Sequence, residues 1–212
     1  MFTTSKAARF FTVAGVLFLL FVSPCLVCAS VSCPSDPLPL IEEGTQKALE
    51  ILHQSECGRA APLRQRKDEI LTVVDHYFSF DEMAKSALGR PWKEQTPEKR
   101  REFTSLFKQL LFNTYVERLQ DYTGSNEKVS YDSQEVNGCY ALVKTHILYQ
   151  GNKNVSIDYR LHQSDGKWKV YDVVVEGISL VVNYRSQFSS ILANESFDSL
   201  LQRLREKVQQ AT

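Results

Sequence analysis

Between residues 127 and 176 the chain alternates apolar and polar side chains with a period of two, punctuated by Asn137-Gly138 and Asp165-Gly166. No helix tolerates that pattern. Four strands fit it, at 127–136, 139–150, 154–163 and 167–176, and the two dipeptides supply the positive φ values that tight hairpins need. Pairing Tyr149 with Val155 also pairs Ile147 with Ile157, Thr145 with Tyr159 and Val143 with Leu161, leaving Gly151, Asn152 and Lys153 as the loop. One sheet face then carries a single apolar stripe, and Lys144, His146, Asp158 and Arg160 lie on the other. Strand four is apolar on both sides through Trp168, Val170, Val173, Val174 and Val175, so both of its faces should be covered.

The cover must come from helices. Residues 39–55 place Leu40, Ala48, Leu49, Ile51 and Leu52 at helical spacing, and residues 62–77 do the same with Leu63, Ile70, Leu71, Val74 and Tyr77. Ser79-Phe80-Asp81-Glu82 reads as a capping box that starts a short helix ending near Gly89. Thr96-Pro97-Glu98 combines an N-cap, a proline at the first helical position and an acid at the positive helix end. The helix it starts reaches about Tyr122, with Phe103, Leu106, Phe107, Leu110, Leu111, Tyr115 and Leu119 as a broad apolar stripe. Two more helices, 179–192 and 196–209, end the chain. Helices, meander, helices: the expected class is α+β, a curved four-stranded antiparallel sheet packed against N- and C-terminal helices.

The first 29 residues are of another kind. Lys6 and Arg9 precede an apolar run from Phe10 to Val22, Pro24 follows, and Val27-Cys28-Ala29 suits a signal peptidase. We read 1–29 as a cleaved secretory signal and 30–212 as a single domain. As a permanent anchor the run is short for a bilayer. The whole chain holds 25 Lys+Arg and 25 Asp+Glu. Without Lys6 and Arg9 a small acidic excess remains, which argues against nucleic acid held through its phosphates. Three cysteines stay in the mature chain, so a full disulfide framework is excluded; a Cys33–Cys57 bridge is open, with Cys139 expected as a buried strand thiol. Neither these cysteines nor His53, His76, His146 and His162 are spaced as zinc ligands, and no metal or cofactor is expected.

Catalytic signatures are missing. There is no GxSxG, HExxH, CxxC or phosphate-binding glycine loop. Asp172 and Glu176 lie on one face of strand four, either as a carboxylate pair or bonded to backbone at the strand end. Lys99-Arg100-Arg101, in the first turn of the long helix, reads as a solvated face or an anion or partner contact. The apolar positions Val143, Ile147, Ile157, Tyr159, Val173 and Val175 of the strands, with Leu106, Leu110 and Leu111 of the long helix, are expected to line either a packed core or a ligand cavity. By pattern alone such stripes are core.

The segment Trp168-Lys169-Val170-Tyr171-Asp172-Val173-Val174-Val175-Glu176-Gly177-Ile178-Ser179-Leu180, followed by Asn183-Tyr184-Arg185 and Gln187-Phe188, resembles the MlaC-like family, the toluene-tolerance auxiliary components of ABC lipid transporters. Leu88-Gly89-Arg90-x-Trp92 before the Thr96-Pro97-Glu98 helix start agrees too, as does the order of elements over nearly all of the mature chain. The resemblance implies an NTF2-like sheet and a non-enzymatic periplasmic phospholipid carrier. It also implies acyl chains between sheet and helices, on the nine stripe residues named above. The implied partners are an inner-membrane MCE-domain ABC transporter complex and an outer-membrane lipoprotein complex. Cys33, Cys57, Cys139 and the extended tail depart from the pattern.

At the junction, Gly177 permits a backbone conformation closed to other residues, and Ser179 can cap the next helix. Glu176 can pair with Arg185, or Arg185 can face a ligand phosphate. Three functions stay open: a carrier of phospholipid or of a hopanoid-type lipid; an enzyme on a small apolar substrate with Asp172 or Tyr159 as acid or base; and an adaptor that binds protein partners.

Overall fold

The structure, a computed structural model, describes residues 36–53, 63–120, 127–149 and 153–210. They belong to one unit, Ser32–Thr212. Six helices run α1 Leu38–His53, α2 Leu63–Tyr77, α3 Phe80–Leu88, α4 Pro97–Gln120, α5 Leu180–Leu192 and α6 Phe197–Gln210. A 3₁₀ turn, Arg90–Glu94, joins α3 to α4. The strands are β1 Lys128–Asn137, β2 Tyr140–Tyr149, β3 Lys153–Ser164, β4 Lys167–Val175 and β5 Ile178–Ser179, antiparallel in the order β1-β2-β3-β4-β5. The expected α+β class is the observed one, with a fifth strand added. Two residues carry no alternation to read, so β5 has no sequence signal of its own.

The β2–β3 register differs from the expected one by two residues: Ile147 faces Val155, Thr145 faces Ile157, Val143 faces Tyr159 and Ala141 faces Leu161. A shift of two leaves every side chain on its expected face, so the hydrophobic pattern cannot detect it. β1 carries one extra residue at Asp132 and β4 one at Tyr171, where the registers jump. Such bulges bend and twist a strand. Beyond Tyr171 the alternation of β4 changes phase, so Trp168, Val170, Val173 and Val175 share one face while Asp172 and Val174 turn to the other. This is why strand four reads as apolar on both sides.

The main core is built by helices. Phe103 and Phe107 of α4 are fully buried, stack at 5.9 Å, and each meets Phe188 of α5 edge to face at 5.4 and 5.6 Å. Met83 and Leu88 of α3 and Leu200, Leu201 and Leu204 of α6 complete the cluster. A second cluster joins Ile41 of α1 to Ala141, Val143, Leu161, Trp168 and Val170 on the sheet. A third packs Leu52 of α1 and Ile70 of α2 with Val74 and Phe112.

The local signals act largely as read, with physical exceptions. Ser79 caps α3 by accepting from Glu82 N, but its own N–H donates to Val170 O at 2.8 Å. Glu82 therefore pairs with Lys85 at 3.0 Å and does not reach back. Thr96 Oγ1 accepts from Lys99 N at 3.3 Å. The Lys99-Arg100-Arg101 run is engaged within the chain: Lys99 meets Asp198 at 2.6 Å, Arg101 meets Glu98 at 3.0 Å, and Arg100 donates to Trp92 O and Lys93 O over the Trp92 ring. Cys139 lies exposed in the β1–β2 turn and not in a strand. The 1–29 signal, Cys33 and Cys57 lie outside the described residues.

Asp172 ties β4 to α5. Its buried carboxylate accepts from Arg160 Nη1 at 3.0 Å, Ser179 Oγ at 2.6 Å and Val181 N at 3.0 Å. Ser179 in turn accepts from Val182 N, so the positive end of α5 is satisfied twice. Replacing Asp172 by Ala removes the acceptor of the Ser179 hydroxyl and of the Val181 N–H, while the half-exposed Arg160 guanidinium turns to water; a loss of about 2 kcal/mol is expected from urea unfolding, against about 1 kcal/mol for Ser179→Ala.

Candidate functional site

Where the curved sheet leaves the helices, a cavity of about 660 Å³ opens. That volume is inside the roughly 300–1,000 Å³ of small-molecule sites. Ile147, Val155, Ile157, Tyr159, Val173 and Val175 form its sheet wall. Opposite stand Leu49 and Leu52 of α1, Val74 of α2, Phe80 and Met83 of α3, and Leu111, Phe112 and Tyr115 of α4, with Phe78 beside Phe80. Polar groups gather at one end of the sheet, where β1 begins and β4 stops: His53, Glu127, Glu176 and Asn183. No Lys or Arg is among the described lining residues. The lining is mostly apolar, with its polar groups gathered at that rim.

Six of the nine stripe residues come together on this cavity: Ile147, Ile157, Tyr159, Val173, Val175 and Leu111. The other three do not line it. Val143 is fully buried in the α1–sheet cluster. Leu110 is core and borders a smaller groove between α5 and α6, and Leu106 packs at the edge of the helical cluster. Helical periodicity identifies the buried side of α4 but not the part of it that meets a hollow. Sequence reasoning missed Phe78, Phe80 and Met83, whose signal was a pair of aromatics flanking the Ser79 cap.

Tyr159 is a half-buried phenol of the sheet wall. Burial pushes its phenol up to about 12, while a hydrogen bond with Thr45 of α1 pulls the other way. Burial likewise raises Tyr131, which also contacts Thr45. Asp172 is not at the cavity and its carboxylate is spent on Arg160, Ser179 and Val181. Glu176 and Arg185 do not pair: Glu176 Oε1 accepts from Ser156 N at 2.5 Å, and Arg185 clamps Ser86 O at the end of α3. Glu176 and Gly177, with φ of 49° and 77°, make the two-residue turn into β5. Among the described residues no group of three His, Cys, Asp or Glu is arranged to hold a metal.

A model of the MlaC protein family matches residues 42–206, a span that includes both walls of the cavity. The chain belongs to the MlaC family. Over 211 residues it is 22% identical to the intermembrane phospholipid transport system binding protein MlaC of Haemophilus influenzae, covering 95% of this chain and 94% of that relative. It is 24% identical over 186 residues to the toluene tolerance protein ttg2D of Pseudomonas putida, covering 87% of this chain and 84% of the relative. The fold matches the crystal structure of the phospholipid-binding protein from Ralstonia solanacearum in complex with a phospholipid. The TM-score is 0.74 at 24% identity, covering 84% of this chain and 99% of that one. The α+β architecture is thus shared with that structure.

A phenol raised in the folded state favours the neutral form, so its contribution is complete below pH 10 and is lost as pH rises through about 12. Tyr159→Phe should therefore flatten the decline of the urea midpoint between pH 10 and 12 relative to the parent protein.

Proposed function

We propose that this protein is a soluble periplasmic phospholipid carrier, exported by the cleaved signal 1–29 and shuttling lipid between an inner-membrane MCE-domain ABC transporter complex and an outer-membrane lipoprotein complex. The observation that carries this reading is the apolar cavity of about 660 Å³ between sheet and helices. The intermembrane phospholipid transport of the Haemophilus influenzae relative and the phospholipid bound by the Ralstonia solanacearum protein support it.

Each methylene in water costs about 0.8 kcal/mol, so two long acyl chains cost on the order of 20 kcal/mol and free diffusion between membranes is negligible. A carrier removes that barrier by keeping the tails dry. Ile147, Val155, Ile157, Val173 and Val175 offer branched aliphatic contacts that grip no particular chain, and Phe78, Phe80 and Phe112 offer flat ones. Hydrocarbon binding of this kind is non-directional, which lets a lipid slide in and out without breaking fixed hydrogen bonds. Release then follows from docking that shifts the carrier between closed and open populations. The carrier itself performs no chemical step.

Native mass spectrometry of protein purified from its own cells should show a co-purifying phospholipid. Filling the cavity with Val173→Trp should lower lipid uptake from vesicles at least tenfold while far-ultraviolet circular dichroism stays at the parent value. Delipidated parent protein that takes no lipid from vesicles overturns the carrier reading.

A further inference from the structure

The groove between α5 and α6 shares no lining residue with the sheet cavity, so its occupancy is a separate matter from the carrier reading. Its floor is apolar: Leu110 of α4, Phe188 and Ile191 of α5, and Leu200 and Leu204 of α6. Ile191 and Leu200 flank the connection between the two helices, whereas Tyr184 and Lys207 lie about two turns farther along α5 and α6, at the other end. The floor therefore runs on the order of 10 Å, the shape of an extended chain and not of a compact ring.

Two donors at the far end have nothing to donate to. Tyr184 is 4% exposed, and its ring is set edge to face against Phe107 at 5.2 Å. It lines the groove and not the cavity, and its hydroxyl has no hydrogen-bond partner among the described residues. A hydroxyl so enclosed calls for an acceptor. Lys207, exposed at the edge of the groove, likewise makes no ion pair or hydrogen bond among the described residues. The other charged groups are engaged: Arg203 forks onto Glu195 at 2.9 and 2.6 Å, and Glu206 Oε1 accepts from Gln202 Nε2 at 2.8 Å. Glu206 is the one acid among the described lining residues, and its charge disfavours a ligand head that carries two negative charges. The groove thus offers an apolar bed that ends on a phenol and an ammonium, with room in its charge balance for one anion.

We propose that this groove is a second binding site, for a single-chain amphiphile with a monoanionic head such as a fatty-acid carboxylate. The chain lies along the apolar floor, and the carboxylate accepts from the Tyr184 hydroxyl and the Lys207 ammonium. The probe is laurate carrying a diazirine near its methyl end, offered to the purified protein with and without excess unlabelled laurate, with adducts located by peptide mass spectrometry. A saturable adduct is expected between Phe188 and Leu204. Tyr184→Phe should weaken binding about fivefold and Lys207→Gln about tenfold, while Lys207→Arg keeps the charge and stays within about twofold of the parent. Lauryl alcohol, with the same chain and no charge, should compete about tenfold less well than laurate. Adducts confined to the sheet cavity, or none that laurate displaces, overturn the site and leave the groove to side chains of a protein partner. Unchanged affinity in both Tyr184→Phe and Lys207→Gln overturns the carboxylate assignment, and lauryl phosphate that binds as tightly as laurate overturns the restriction to a single charge.

Discussion

One extra residue in each of two strands, Asp132 in β1 and Tyr171 in β4, bends the sheet so that its apolar face curves away from the helices. A flat sheet would close onto α4 and bury Ile157 and Val173 against it as Val143 and Val170 are buried elsewhere. The bend keeps them apart over one end of the sheet. The hollow is thus a consequence of backbone geometry, and the apolar side chains around it are those any packed sheet would carry.

A hollow of this size carries a stability cost, since its lining forgoes dispersion contacts that a filled core would make. The structure offsets the cost elsewhere. Phe103, Phe107, Phe188, Tyr184 and Phe197 form a contiguous aromatic cluster among α3, α4, α5 and α6. Asp172 then ties that helical body to β4 through the start of α5. Rigidity and emptiness sit in different parts of one domain.

The same Asp172 illustrates how a residue can look chemical and be architectural. A carboxylate at a strand end beside an apolar stripe is compatible with a general acid, and only the phase change at Tyr171 turns it to the far side of the sheet. Glu176 and Arg185 teach a related lesson. Both are charged and close in sequence to the strand-to-helix turn, yet each completes a backbone hydrogen bond, to Ser156 and to Ser86. Charge near a candidate site is informative once its partners are known.

Much of the fold was legible locally. Ser79, Thr96 and Ser179 each start a helix where a side-chain oxygen can satisfy a backbone N–H within three residues, and Asn137-Gly138 and Asp165-Gly166 turn the chain where alternation stops. Those signals act over one turn, so sequence alone determined the six helices, the four long strands, their order and the inward faces of those strands, but not β5. Tertiary structure alone decided the two-residue register shift between β2 and β3 and the seating of Leu110 and Val143 in core beside Leu111 and Ile147 on the hollow. It also brought His53 to Glu127 across 74 residues of chain. The reason is physical: apolar patterning specifies which side of an element avoids water, whereas the distance between two such sides depends on strand curvature and packing, which no single segment encodes.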